Sequence, residues 1–233
     1  DGCLTNGTRR FRNVVPSSYS SVFQRDVLMT VVSTTNGATP ATPRSGFGST
    51  STYIGGEVLG NSAAGTKSQV RFRLTFVTPG TSTPQAVPAP FFVTSLDTDG
   101  GYQSTATNGF RERIEFHDTP QMPVPGSQLQ QTSPLDGGVA YSPVLCTATV
   151  AGGGCDFGAG YYVFYAGLSE TTDNVEVSAR YSTPLSTLDF SFGVEVSSSS
   201  AGGYWESRQY GIQVGVTDGW VDVVPSFSGL PTA

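Results

Sequence analysis

The chain has 233 residues, and its 12 Lys and Arg against 18 Asp and Glu give a net charge of −6. Nucleic acid binding requires clustered Lys and Arg, so we expect no nucleic acid partner for this acidic chain. No apolar run reaches the roughly 18 residues that a bilayer-spanning helix needs, so we also expect no transmembrane segment. The 29 Gly and 15 Pro indicate a globular protein with many turns.

The first predicted strand covers Val22 to Val32, and its last six residues are apolar on both faces except for Thr30. A strand of this kind must be buried on both faces. It is either the first strand of its own sheet or a donor strand that completes the sheet of a neighbouring subunit. In the second case, the polymerisation strand contributes the apolar side chains of Val22, Phe23, Val27, Leu28, Met29, Val31 and Val32.

The rest of the chain shows a hydrophobic period of two, which is typical of strands. The clearest alternation runs over 70–76, 175–181, 188–196 and 210–216. Shorter candidate strands are Tyr53–Leu59, Phe91–Leu96, Arg113–His117, Val144–Val150, Tyr161–Ala166 and Trp220–Val224. No stretch of ten residues carries an amphipathic helical stripe. The pattern predicts an all-β, jelly-roll-like β-sandwich of about ten to twelve strands with long Gly/Pro/Ser/Thr loops.

We interpret residues 1–33 as an N-terminal extension that contains the candidate donor strand. Residues 34–233 then form a single β-sandwich domain, since all-β domains often reach this size. A split into two domains near residues 120–138 is the alternative to this single domain.

Few residues offer catalytic chemistry, and we expect no enzyme. His117 is the only histidine, and its position at a strand end predicts a solvated side chain. Glu176 and Glu195 alternate with core residues on their strands. This alternation predicts a solvated face rather than the carboxylate pair of a glycosidase.

A short acidic loop, Asp97-Thr98-Asp99-Gly100-Gly101, follows one predicted strand. Closely spaced carboxylates in a Gly-containing loop suit Ca²⁺, which prefers oxygen ligands, so Asp97 and Asp99 are candidate metal ligands. An ordinary Asx turn explains the same residues. Arg111 and Arg113, on a later strand, are candidates for cross-strand ion pairs with these two aspartates.

Cys146 and Cys155 flank a Gly-rich turn, which favours a hairpin disulfide in an oxidising compartment. Two reduced, buried thiols fit the spacing as well, and Cys3 is left without an evident partner. Asn6 begins the only N-glycosylation sequon, Asn6-Gly7-Thr8. The Ser/Thr-rich, Lys-poor composition and the lack of a leader before Asp1 indicate an exported protein that has been processed. We therefore predict an extracellular or cell-surface location.

The stretch from Phe72 to Phe116 contains an apolar strand that ends in Asp97-Thr98-Asp99 and a later strand that opens with Arg111-Glu112. It resembles β-sandwich modules of secreted microbial surface proteins, which implies adhesins or fibres rather than enzymes. The layout of the whole chain also resembles jelly-roll-like subunits of extracellular filaments. The resemblance implies polymerisation through an N-terminal donor strand.

These observations lead to two expectations about function. The first is a structural subunit of an extracellular filament or cell-surface fibre, in which the partner is another copy of the chain. The alternative is a secreted carbohydrate-binding module or adhesin, dependent on Ca²⁺ if Asp97 and Asp99 bind it. Exposed aromatic residues in Tyr161–Tyr165 and at Tyr204 and Trp205 would stack on its glycan ligands.

Overall fold

The computed structural model describes residues 7–15, 22–41, 54–96, 98, 100–103, 108–118, 120–121, 129–143, 145–150, 154–162, 176–196 and 207–216. These residues form fifteen β-strands, which confirms the prediction of an all-β sandwich. The strands are β1 (Thr8–Val15), β2 (Arg25–Thr35), β3 (Thr39–Ala41), β4 (Ile54–Leu59), β5 (Lys67–Val77), β6 (Phe91–Leu96), β7 (Gly100–Gln103), β8 (Asn108–Phe116), β9 (Leu129–Thr132), β10 (Val139–Pro143), β11 (Leu145–Val150), β12 (Gly154–Tyr162), β13 (Val177–Tyr181), β14 (Thr187–Val196) and β15 (Ser207–Gly215).

Eight of these strands form a jelly roll. Counted along the chain, they are β4, β5, β6, β8, β10, β13, β14 and β15. One sheet has the order β4-β15-β6-β13, which are the first, eighth, third and sixth of these eight strands. The facing sheet has the order β5-β14-β8-β10, which is second, seventh, fourth and fifth. All of these pairings are antiparallel, and the order is that of two interlocked Greek keys.

The remaining strands extend the two sheets or form a separate hairpin. β2 pairs with β5, and β1 pairs with β2, so both N-terminal strands lie at one side of the larger sheet. β3 extends the smaller sheet next to β4, and β9 extends the larger sheet next to β10. β7 pairs with the first half of β8, while β11 and β12 form a hairpin of their own. The division at residue 33 therefore falls inside β2, which is part of a sheet in this chain.

The core lies between the two sheets and is largely aromatic. Phe72 and Phe190 stack with their ring centroids 5.3 Å apart on the larger sheet. Tyr210, from the smaller sheet, contacts both rings at 5.2 and 5.7 Å. Phe91 and Tyr181 stack at 5.2 Å on the smaller sheet. Because aromatic side chains bury a large apolar area, this cluster fixes the relative position of the two sheets.

The predicted strands with clear alternation are present, and Phe91–Leu96 matches β6 residue for residue. Trp220–Val224 and most of Tyr161–Ala166 lie outside the described residues. The structure has more strands than predicted because β1, β3, β7, β9 and β10 are short or polar. Their strand conformation depends on pairing with a neighbour rather than on a hydrophobic pattern of their own.

Candidate functional site

The outward surface of the larger sheet carries an unusual concentration of charge. Alternation in β5, β14 and β8 directs the aromatic side chains into the core and all the charged side chains except Glu112 outward. We call these outward residues the charged face: Lys67, Arg71, Arg73, Arg111, Arg113, Glu115, Asp189 and Glu195. Five of the twelve basic residues of the chain lie here. Residues 133–138, between β9 and β10, pack against this face, and we call them the cover segment.

Asp189 lies at one end of the charged face and binds two arginines. Its carboxylate accepts hydrogen bonds from Arg71 Nε at 3.0 Å and from Arg73 Nε at 2.8 Å. Arg71 also donates to Asp136 of the cover segment at 2.9 Å. Burial raises the pKa of Asp189, but the bonds from Arg73 and Arg71 outweigh burial, and the net pKa is lowered.

Glu115 lies at the centre of the face and is completely buried. Its carboxylate accepts backbone N–H bonds from Leu135 and Asp136 at 3.0 Å and from Gly138 at 2.8 Å, and a fourth bond from Gln69 Nε2 at 3.2 Å. Burial raises the pKa of Glu115, but these hydrogen bonds more than compensate and lower it overall. Glu115 therefore fastens the cover segment to the sheet as an ionised group.

Arg113 is also completely buried, next to Glu115. It donates to Gln69 Oε1 and to the Ser133 carbonyl, both at 3.0 Å, and lies 3.6 Å from the Glu115 carboxylate. Its Nη1 atom makes no hydrogen bond to the described residues and lies 3.9 Å from Glu195. Burial is the main cause that lowers the pKa of Arg113.

Glu195 lies at the other end of the face, where three cations surround one carboxylate. Arg111 donates to Glu195 Oε2 through Nε at 3.1 Å and through Nη2 at 2.9 Å. Lys67 Nζ lies 3.6 Å from the same oxygen, and Arg113 Nη1 lies 3.9 Å from it. Among the residues that the structure describes, this end of the charged face therefore carries more positive than negative charge.

An open groove of about 610 Å³ begins at this positive end. It is lined by Asn36, Gly37, Asn61, Gly65, Thr66, Lys67 and Leu135. Asn36 Nδ2 donates to the Lys67 carbonyl at 2.7 Å, and Asn61 Nδ2 donates to the Asn36 carbonyl at 3.0 Å. The two side-chain amides are therefore held in place before any ligand arrives. This groove was not predicted from the sequence, although its Asn36-Gly37 dipeptide is a turn signal and Lys67 is the only lysine of the chain.

The residues of the predicted polymerisation strand fall into three groups. Val27 and Met29 are in the core, where Tyr210 Oη lies 3.5 Å from the Met29 sulfur. Phe23, Leu28 and Val31 are half-buried, whereas Val22 and Val32 are 62% and 44% exposed. In the single chain this strand pairs with its own β1 and β5. The single chain thus places β2 between two of its own strands, and donation of this strand to a neighbouring subunit stays a prediction.

Two buried charged residues fasten the start of β2. Asp26 accepts N–H bonds from Asn13 at 3.0 Å and Gly80 at 2.9 Å, and a bond from Arg10 at 3.1 Å. Arg25 donates to backbone carbonyls, including that of Ala86 at 3.1 Å from Nε. These bonds connect β2 to β1 and to the loop after β5.

The predicted solvated position of His117 is wrong. Its side chain is buried, and its Nε2 atom lies 3.0 Å from the Ser191 hydroxyl. Burial is the main cause that lowers the pKa of His117, and the neighbouring Arg71 lowers it further. Ser191 is completely buried, so a substrate cannot reach this pair from solvent. Glu176, also predicted to be solvated, is only 5% exposed.

Several predicted sites lie outside the described residues or are described only by their backbone. Asp97, Asp99 and Asn6 lie outside, so calcium binding and glycosylation stay predictions. The described residues contain no group of three His, Cys, Asp or Glu that could hold a metal ion. Among the described residues, Arg111 contacts Glu195 and Arg113 contacts Glu115. The pairing of these arginines with Asp97 and Asp99 stays a prediction.

The predicted hairpin between the two later cysteines is present as β11 and β12. In its register Cys146 lies opposite Tyr161, and Cys155 lies opposite Thr149. The two cysteines are therefore not direct cross-strand partners. Their disulfide stays a prediction.

No protein family matches the sequence, and no curated protein matches it significantly. In the part of the chain that the structure describes, no helix is long and apolar enough to cross a membrane.

Proposed function

We propose that this chain is a structural subunit of an extracellular filament or cell-surface fibre, and that neighbouring subunits exchange strands β1 and β2. One observation carries the proposal. The eight-stranded jelly roll has its full strand order without β1 and β2, which are added at the edge of β5. Because β1 and β2 are not part of the eight-stranded jelly roll, they are suited to pair with the edge of β5 on a neighbouring subunit.

The side chains of β2 support this proposal because they resemble those of a strand that fills a groove. Val27 and Met29 are buried in the core, while the backbone of β2 pairs with β5 from Asp26 to Thr35. An exchanged strand makes the same contacts between two subunits that it makes within one. The energies of those contacts cancel, and the balance between closed and exchanged forms depends on the hinge and on protein concentration.

The turn after β2 provides the hinge. Asn36 and Gly37 both have positive backbone φ angles, of 53° and 81°. Asn36 is held by its bond to the Lys67 carbonyl, and Asn61 holds the Asn36 carbonyl in turn. In an exchanged subunit this turn opens into an extended connection, which needs no positive φ.

We predict that Gly37→Ala increases the assembled fraction of the protein. Alanine at φ 81° costs about 1 kcal/mol, and the turn bears this cost only in the closed form. A cost of this size changes a population ratio about fivefold. Light scattering at micromolar concentration and negative-stain imaging would measure the change.

Gly137→Ala is the matched control for this hinge variant. Gly137 has a φ of 79°, and no atom lies within 4 Å of an added Cβ, so it bears a similar backbone cost. It lies in the cover segment, which is the same in both forms. Equal effects of the two substitutions on assembly would contradict the hinge assignment.

A cysteine pair distinguishes strand exchange from pairing within one chain. Leu28 lies opposite Thr75 across the β2–β5 ladder, so Leu28→Cys with Thr75→Cys allows a disulfide across it. In assembled material oxidised before denaturation, strand exchange predicts covalent ladders on a non-reducing gel. Leu28→Cys alone controls for the natural cysteines. Assemblies that yield only intramolecular disulfides would overturn the proposal.

The groove at the positive end of the charged face favours a second candidate function, the carbohydrate-binding module or adhesin. Its volume is within the usual range of ligand sites, about 300–1,000 Å³. Its amide and hydroxyl groups are the types that hydrogen-bond sugar hydroxyls. A glycan array tests this function without reference to assembly, and an array without any bound sugar would contradict it.

A further inference from the structure

The groove differs in charge from the chain that carries it. The whole chain has a net charge of −6, yet its only lysine lines this groove. Behind Lys67, Arg111 and Arg113 approach the same Glu195 carboxylate. Arg111 already donates two hydrogen bonds to Glu195 Oε2, whereas Lys67 Nζ lies 3.6 Å away from it. Lys67 therefore retains most of its capacity to bind another anion.

We propose that this groove binds an anionic saccharide and that Lys67 contacts its carboxylate or sulfate group. The proposal rests on the second candidate function and adds a ligand class to it. It concerns the closed form of the chain, in which the Asn36-Gly37 turn lines the groove. An acidic sugar offers both the charge that Lys67 binds and hydroxyl groups for the neighbouring amides.

The other lining residues match the remaining parts of such a ligand. Asn36 and Asn61 present side-chain amides that hydrogen bonds to the backbone already fix, so they lose little conformational entropy on binding. Thr66 adds a hydroxyl group. Leu135 adds a half-buried aliphatic side chain against which the C–H face of a sugar ring can pack.

The cover segment connects the groove with the buried part of the charged face. Leu135 lines the groove, while its backbone N–H donates to Glu115 at 3.0 Å. Arg113, whose Nη1 atom has no hydrogen bond to the described residues, donates to the carbonyl of Ser133 in the same segment. The wall of the groove is therefore fixed to the sheet by partly buried hydrogen bonds, which gives the site a preformed shape.

Titration calorimetry with three probes tests the ligand class. The probes are an oligogalacturonate, a sulfated oligosaccharide and a neutral oligosaccharide of similar length. We expect the carboxylated or the sulfated probe to bind and the neutral one to bind at least tenfold more weakly. Equal binding of neutral and anionic probes would overturn the assignment of an anionic ligand and leave the carbohydrate function standing. If none of the probes binds, both are contradicted.

Substitutions with opposite expected signs test the contact itself. Lys67→Gln is expected to weaken binding of the anionic probe about tenfold, because a hydrogen bond to a charged group is lost. Glu195→Gln removes the competing carboxylate and is expected to strengthen binding severalfold. Arg12→Gln is the matched control, since Arg12 is exposed on β1 and its loss changes the net charge equally. An equal loss of affinity in Lys67→Gln and Arg12→Gln would show nonspecific charge attraction and overturn the site.

Because Lys67 is the only lysine, its reactivity gives a readout that needs no substitution. Acetylation with an N-hydroxysuccinimide ester, followed by peptide mass spectrometry, measures how fast the side-chain amine reacts. The anionic probe is expected to slow acetylation of Lys67 severalfold and to leave the α-amino group of the chain unaffected. An unchanged rate at saturating probe would contradict the contact even if the probe binds elsewhere.

Discussion

Glu115→Ala is expected to lower the free energy of unfolding by about 3–5 kcal/mol, the cost of breaking a buried ion pair by removing one partner. The substitution leaves Arg113 buried without its nearest carboxylate. It also leaves the backbone N–H groups of Leu135, Asp136 and Gly138 without their acceptor. Urea denaturation at pH 7, followed by circular dichroism, measures the loss.

Glu115→Gln gives the graded comparison. The amide keeps the shape of the side chain and one acceptor oxygen. Its NH₂ group, however, faces N–H donors of the cover segment and cannot accept their hydrogen bonds. We expect an intermediate loss of stability. If Glu115→Ala costs less than about 1 kcal/mol, the carboxylate does not hold the cover segment in the way described.

The pH dependence of stability provides a second readout of the same carboxylate. The pKa values of Asp26, Glu115 and Asp189 are all lowered in the folded protein, from 3.8 for the aspartates and 4.5 for the glutamate. Their stabilisation is therefore complete above these unfolded values and is lost as pH falls through the folded pKa values. His117 adds a smaller loss at higher pH, because burial lowers its pKa below 6.5 and the unfolded chain therefore binds this proton first. We expect stability to fall gradually below about pH 6.5 and steeply below about pH 4. Glu115→Gln should make this acid loss shallower, and an unchanged slope would contradict the lowered pKa of Glu115.

Gly193→Ala is expected to cost about 3 kcal/mol, at the upper end for overpacking. Gly193 lies on β14, opposite Gln69 of β5 and Arg113 of β8. A Cβ there would collide with the Ser68 carbonyl oxygen and would lie 2.5 Å from the Gln69 Cα. These are backbone atoms in a central strand, so they cannot move aside without loss of ladder hydrogen bonds.

The same substitution should disturb the charged face. An added methyl group would lie 2.6 Å from the Gln69 Cβ and displace the side chain that connects Arg113 with Glu115. Thermal unfolding of Gly193→Ala beside Gly137→Ala separates this collision from the general cost of replacing a glycine. A melting temperature no lower than that of Gly137→Ala would show that β5 and β14 can separate to accept the methyl group.

The sequence predicted the inner surface of this protein well, because burial on one face of a strand produces a visible alternation. The stretch from Leu188 to Val196 on β14 illustrates this, since its apolar side chains all face the core between the two sheets. The short edge strand β9 has no such pattern, and its four residues become a strand only by pairing with β10.

The outer surface was less predictable, since alternation identifies a polar face without showing what covers it. Glu115 and Arg113 have the pattern of solvated residues, but the cover segment buries them. That segment folds back from β9, and no local signal connects it with a strand that precedes it by about 20 residues. The groove was missed for the same reason, because its lining comes from three separate turns. The apolar pattern of β2 likewise predicted burial on both faces. It did not show whether the residues that cover this strand belong to the same chain or to a neighbouring subunit.

The pairing of β2 with β5 has a mechanical consequence for a fibre joined by strand exchange. The two strands run antiparallel from Asp26 opposite Val77 to Thr35 opposite Gln69. Inter-strand hydrogen bonds lie perpendicular to the strands, so tension along β2 loads all of them at once in shear. A force perpendicular to the strands breaks the same bonds one at a time. Such a joint is strong along the strand direction and weak against peeling from one end.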